Sequence, residues 1–215
     1  MKYVPILLIL FLLSCFNSTV NDQSTIKQSQ DAQSTTFDCN YEKSKVRTKN
    51  LYKEYLDTHS LTAKQTLLNN IRDSLFPCWY GTPWDFYGTT EEPRKGSIAC
   101  GYFVTTLLRD MGINLNRIKL AQCASEQMIK AVCLKNSITR HSNESIVSFT
   151  EQVRNAGIGL YIVGLDFHTG FILNDGEEVY FIHSNYTGEK IVMKEVAASS
   201  VVLSSSKYKV IGKVF

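Results

Sequence analysis

The chain changes its hydrophobic period at Gly157, and that change limits the possible folds more than any other feature. Upstream, apolar residues recur at three- and four-residue intervals. They do so over 41–56 and 61–75, over 100–111, in "RIKLAQCASEQMIKAVCL", and in "ESIVSFTEQVRNAG". Downstream come short runs rich in Val, Ile, Tyr and Phe: "IGLYIVGL", "FHTGFIL", "EVYFIH", "KIVMKEV" and "YKVIGKVF". Helices first and strands after predict an α+β fold, with N-terminal helices packed on a C-terminal antiparallel β-sheet. Pro77 is expected to stop the second helix, and Gly112 to end the one over 100–111. Between them "CWYGTPWDFYGTTEEPRKG" reads as a structured loop with interleaved aromatic residues.

The first 36 residues stand apart. "MKYVPILLILFLLSC" has one lysine and then an apolar run too short to span a bilayer, as in a signal peptide over 1–14. Its end, Leu12-Leu13-Ser14-Cys15, resembles a bacterial lipobox, which implies that Cys15 carries lipid and is the first mature residue. The following "FNSTVNDQSTIKQSQDAQSTT" is almost wholly polar and reads as a flexible tether over 15–36. One domain over 37–215 remains, in a chain 44% hydrophobic and long enough to bury a sizeable core. The expected location is the cell envelope, on a membrane through the lipid. Phe16, standing where an aspartate would signal retention, favours the outer membrane.

A net charge of +3, with no Lys/Arg run or basic helix stripe, gives nucleic acid no electrostatic footprint. Export makes disulfides chemically accessible to the six cysteines. With Cys15 lipidated and Cys100 reactive, Cys39, Cys78, Cys123 and Cys133 allow three pairings. Cys123 and Cys133 would lie about 15 Å apart on an unbroken helix, too far to bridge. Free buried thiols are the other reading of all four.

Cys100 begins a helix whose one face carries residues 100, 103, 104, 107, 108 and 111: Cys, Phe, Val, Leu, Leu and Met. A first-turn cysteine feels the positive end of the helix dipole and unpaired N–H groups, which favour thiolate and can hold an oxyanion. A buried packing role is the plainer alternative for such a cysteine.

A nucleophile needs a base, and four histidines are present. His59 and His141 sit in polar surroundings and are expected to be solvated. His168 and His183 flank Asp175-Gly176, the strongest short signal for a two-residue hairpin turn. That turn would pair Ile172 with Val179, Gly170 with Phe181, and His168 directly with His183. The pair would then supply a base and its orienting partner. A His–His–Cys zinc site is a competing use of the same residues, without the close ligand spacing of zinc motifs.

A cysteine opening a helix, an aromatic Gly/Pro loop before it, and "HTGFIL" and "FIHS" after it resemble the NlpC-type cell-wall cysteine peptidases, a papain-like superfamily. The resemblance covers roughly residues 77 to 185. It implies a papain-like fold, Cys100 as nucleophile, His168 as general base and acid, and His183 as orienter. "YGTPWDFYG" is similar to the family's cleft-bordering loop, which implies that Trp84 and Tyr87 face substrate. Ala99-Cys100-Gly101-Tyr102 departs from the family's usual Asp-Cys-Ser-Gly, and the segment from 119 to 157 has no counterpart in it.

The expectation is therefore a cell-envelope cysteine hydrolase acting on peptidoglycan peptides or related γ-linked peptides, with no cofactor or metal. Two alternatives share the fold: a non-catalytic lipoprotein that binds peptide or glycan, and an acyl transferase using the same three residues.

Overall fold

The computed structural model describes residues 39–215. The expected leader, the anchor Cys15 and the tether lie outside the described residues.

Two helices lead, α1 (Tyr41–Thr58) and α2 (Leu61–Asn70). Each starts on a side-chain cap: Asn40 accepts from the Lys43 N–H and Ser60 from the Ala63 N–H, satisfying donors that a helix start leaves unpaired. Pro77 does not stop the second helix. The chain passes through a π-helical turn, Ile71–Leu75, into α3 (Phe76–Trp79), where Pro77 stands in the first turn. The wider turn resets the hydrogen-bond register, so the missing proline N–H falls where no partner is required.

After the aromatic loop come α4 (Cys100–Asp110), α5 (Arg117–Ala121) and α6 (Ser125–Val132). The long helix expected over "RIKLAQCASEQMIKAVCL" is thus broken at residues 122–124. Its first piece is held by Arg117, which stacks on Tyr102 and donates to Thr106 Oγ1 at 2.7 Å and to the Thr89 carbonyl at 2.8 Å. Bonding to α4 and its preceding loop outweighs helix continuation there.

The rest is β1 (Ile138–Ser142), α7 (Ile146–Asn155), β2 (Gly159–Leu165), β3 (Thr169–Asn174), β4 (Val179–Ser184), β5 (Val192–Val196), α8 (Val201–Ser205) and β6 (Tyr208–Lys213). The six strands form one antiparallel sheet, ordered β1-β6-β2-β3-β4-β5. The fold is α+β, as the change of period predicts. The polar edge strand β1, with the sequence "ITRHS", carries no apolar run and was legible only through its pairing with β6.

The α4 helix packs across β3 and β4 on one face, with Phe103, Val104, Leu107 and Leu108 meeting Phe171, Leu173 and Ile182 in one cluster. Helix α7 and the Ala197–Leu203 segment cover the other face, where Phe149, Val153, Ala197 and Leu203 join Phe181 of β4 in one cluster. Covered on both sides, β2 is buried at every position, which explains its unbroken apolar run. Among the described residues, no helix is long and apolar enough to cross a membrane.

Of the open cysteine pairings, the structure contains Cys39–Cys78, with Cα atoms 5.3 Å apart; Cys100, Cys123 and Cys133 are free. The bridge spans a separation of 39 residues and ties the start of the domain to the buried α3. Restricting the unfolded chain over that span is worth ~4 kcal/mol in the loop-entropy account. We expect the double variant Cys39→Ser/Cys78→Ser to lose about 2–4 kcal/mol in urea unfolding, with reductant affecting only the parent protein.

Candidate active site

Cys100 is the first residue of α4. Its N-cap is Ala99, which offers no side-chain acceptor, so the first-turn N–H groups stay free of a cap. Backbone hydrogen bonding at Thr169, Gly101 and Cys100 favours the thiolate of Cys100. Burial opposes it and prevails, pushing the thiol up rather than down. The lowering expected from the helix start alone is therefore outweighed by desolvation.

The loop ahead of α4 fixes where Cys100 stands. The Ala99 N–H donates to the Gly88 carbonyl at 2.8 Å and the Ile98 N–H to the Pro83 carbonyl at 2.9 Å. Gly88 must be glycine here, because a Cβ would come within 2.5 Å of the Ile98 nitrogen. Ser184, the last residue of β4, donates to the Ile98 carbonyl at 2.7 Å. One buried hydrogen bond thus links the neighbour of His183 to the residue two before Cys100.

His168 ends the tight β2–β3 turn, closed by the Leu165 N–H on the His168 carbonyl at 2.8 Å. Its Nε2 lies 2.9 Å from His183 Nδ1, so the two imidazoles meet as expected. The register that brings them together is not the expected one. Ile172 pairs with Phe181 and Asn174 with Val179, leaving four residues, 175–178, in the turn. The Asp175 carboxylate accepts from the Glu177 and Glu178 N–H groups, and Asn174 Oδ1 from the Gly176 N–H, which widens the loop. The shift is two residues, so each side chain keeps its face. Gly170 now lies beside His183, and the His168 ring reaches it diagonally. A Cβ on Gly170 would stand 2.6 Å from Phe181 and 2.8 Å from the His183 Cβ. The missing side chain is what leaves this space open.

Behind His183 stands a residue that sequence reasoning missed. His183 Nε2 is 3.1 Å from Glu195 Oε1, and that oxygen also accepts from the Ser200 hydroxyl at 2.6 Å. The available signal was a glutamate in the alternating run "VMKEV", at a position facing the same way as Phe181 opposite it. Burial raises Glu195, but the His183 and Ser200 hydrogen bonds overcome it and hold the carboxyl below its usual range. Burial drives His168 well below the ordinary histidine value, with His183 adding to the effect. Burial also lowers His183, against the pull of Glu195.

Cys100, Gly101, His168 and Thr169 line one cleft of about 560 Å³. Another wall is the segment from α5 to α6, through Ala121, Cys123, Ala124, Ser125, Glu126 and Met128. Gly101 suits this packing, since a Cβ there would fall 2.3 Å from the Ala121 carbonyl oxygen. Phe167, 94% exposed, stands on the rim.

Trp84 and Tyr87 lie outside this lining. The Trp84 ring packs against Tyr186, with Lys190 above it; Tyr186 in turn lies 5.0 Å from the His168 ring. Tyr87 is 84% exposed and sits edge-on against Phe86. Trp79 is core. His59 is exposed as expected, but His141 is buried against Phe149, bonded to Thr139. Among the described residues, no three His, Cys, Asp or Glu side chains are arranged to hold a metal ion.

Two outcomes are expected from this geometry. Gly170→Ala should cost about 1–3 kcal/mol by overpacking, read by thermal or urea unfolding. The lowered imidazoles give a pH signature as well. Below pH 6.5 the unfolded chain binds protons that the folded His168 and His183 refuse, so stability is full above that value and falls as pH drops beneath it. Replacing His168 by Gln should flatten that fall, measured as urea midpoints at several pH values.

Comparison of the chain with family models, with curated proteins and with solved structures finds no match in any of the three.

Proposed function

We propose that the chain is a lipid-anchored cysteine hydrolase of the bacterial cell envelope, similar to the papain-like NlpC-type peptidases. It would cleave an amide bond in peptidoglycan peptides or related γ-linked peptides. One observation carries the reading: Cys100, at the start of an uncapped helix, and His168, already engaged by His183, line the same cleft.

In this mechanism the Cys100 sulfur attacks the amide carbon while its proton passes to His168. The tetrahedral oxyanion is held by first-turn N–H groups of α4. Collapse breaks the C–N bond, leaves a thioester, and returns the proton from His168 to the departing amine. His168 then takes a proton from water, whose oxygen attacks the thioester and frees the acid and the thiol. Burial raises the thiol and lowers the imidazole, so the resting pair is neutral and charge separates only when substrate is present. His183 steadies the imidazolium formed on its neighbour. Lipid attachment would confine the enzyme beside a polymeric substrate.

The neutral resting pair sets the pH profile. The active form needs unprotonated His168 and protonated Cys100, so kcat/KM should form a broad plateau. Its acid limb should lie below 6.5 and its alkaline limb above 9.0. A profile whose alkaline limb lies below 9.0 would point instead to a thiolate–imidazolium pair at rest.

The direct test is incubation of the full chain with a mixture of soluble muropeptides, read by mass spectrometry. Hydrolysis appears as two fragments whose summed mass exceeds the parent by one water. Cys100→Ala and His168→Ala should each reduce the rate by at least about 10²-fold. Fragments joined to an added amine would indicate transfer. Binding without any cleavage would leave a peptide-binding lipoprotein.

A further inference from the structure

We infer that Glu195 is a positioning residue that sets the tautomers of both histidines and so leaves the lone pair of His168 on Nδ1. The assignment of roles rests on the hydrolase reading above; the tautomers themselves do not.

The protons can be followed along the chain of contacts. The Ser200 hydroxyl accepts from the Leu203 N–H, as the cap of α8, so its single proton goes to Glu195 Oε1 at 2.6 Å. Glu195 is ionised and has only lone pairs to offer, so His183 Nε2 at 3.1 Å must carry the hydrogen. In a neutral ring the other nitrogen, Nδ1, is then an acceptor. It lies 2.9 Å from His168 Nε2, which must therefore be the donor. One proton per neutral ring leaves His168 Nδ1 unprotonated. Among the described residues that nitrogen makes no hydrogen bond, yet it is not one of the sealed, unpaired polar atoms. It is the free base of a residue lining the Cys100 cleft.

Without the carboxylate the order has no anchor. His183 can carry its hydrogen on Nδ1 and donate to His168 Nε2, which puts the His168 hydrogen on Nδ1. That ring cannot then take a proton from Cys100 at that nitrogen. When His168 does take the thiol proton, the same chain places an acceptor and then an anion behind its Nε2–H, which stabilises the imidazolium. Ser200 ties this arrangement to the start of α8, so the carboxylate is held from the side opposite His183.

The test is nitrogen-15 NMR of the imidazole rings in the full chain labelled at histidine, recorded above the histidine titrations. Both His168 and His183 are expected as Nε2–H tautomers in the parent protein. A protonated Nδ1 on either ring would overturn the assignment, and the parent protein alone suffices to show it. In Glu195→Gln the two rings should become a mixture of tautomers, whereas Ser200→Ala should keep the parent pattern because the carboxylate remains. Unchanged tautomers in Glu195→Gln would equally refute the inference. If muropeptides are cleaved, Glu195→Gln should lower kcat by on the order of 10²-fold with KM unchanged. If no amide is cleaved but the tautomers are as assigned, the hydrolase reading falls and the positioning role of Glu195 stands.

Discussion

The central strands β2, β3 and β4 are covered on both faces, and a polar side chain placed on them must find its partner inside the protein. His183 is fully buried and lies parallel to the Phe181 ring at 4.0 Å between centroids. Its two nitrogens have only two places to go, His168 on one side and Glu195 on the other. The order of that chain is a consequence of satisfying a buried polar group rather than of any single residue's preference. Desolvation lowers both imidazoles and, at the start of α4, raises the Cys100 thiol, so these three groups rest neutral beside the ionised Glu195.

Placement of Cys100 depends on backbone approach. Gly88 lets the aromatic loop lie against Ile98, Ser184 pins Ile98 to the sheet, and Gly101 accepts the Ala121 carbonyl against the first turn of α4. The segment from α5 to α6 that follows is part of this scaffold. Arg117 binds its first helix to α4 and to the loop at Thr89–Thr90, while Ser125 packs against Gly164 of β2. These contacts make the segment one wall of the cleft. Its side chains therefore belong with whatever specificity the cleft has.

Much of the architecture was legible because burial imposes a period. The apolar faces of α1, α2, α4 and α7 and the runs of β2 to β6 follow directly from it. The elements that escaped carry no apolar run long enough to show a period: polar β1, short α8, and the break between α5 and α6, where one arginine decides. His168 and His183 were legible as neighbours although the turn was misjudged, because a shift of two residues preserves the face of a strand. His141 was misjudged for the opposite reason. Its polar sequence neighbours suggested water, but the chain folds it under Phe149.

By itself the sequence determined the class of fold, the helix that begins with Cys100 and the shared face of two histidines. Hydrophobic period and side-chain alternation are local properties that survive small errors of register. Only the tertiary structure decided which cysteines pair, which residues close the cleft, and that Glu195 and Ser200 stand behind His183. Each of these is a contact between segments whose separation in the chain carries no period. Desolvation at Cys100 is of the same kind: its sign is set by how much protein surrounds the sulfur, which no stretch of sequence records.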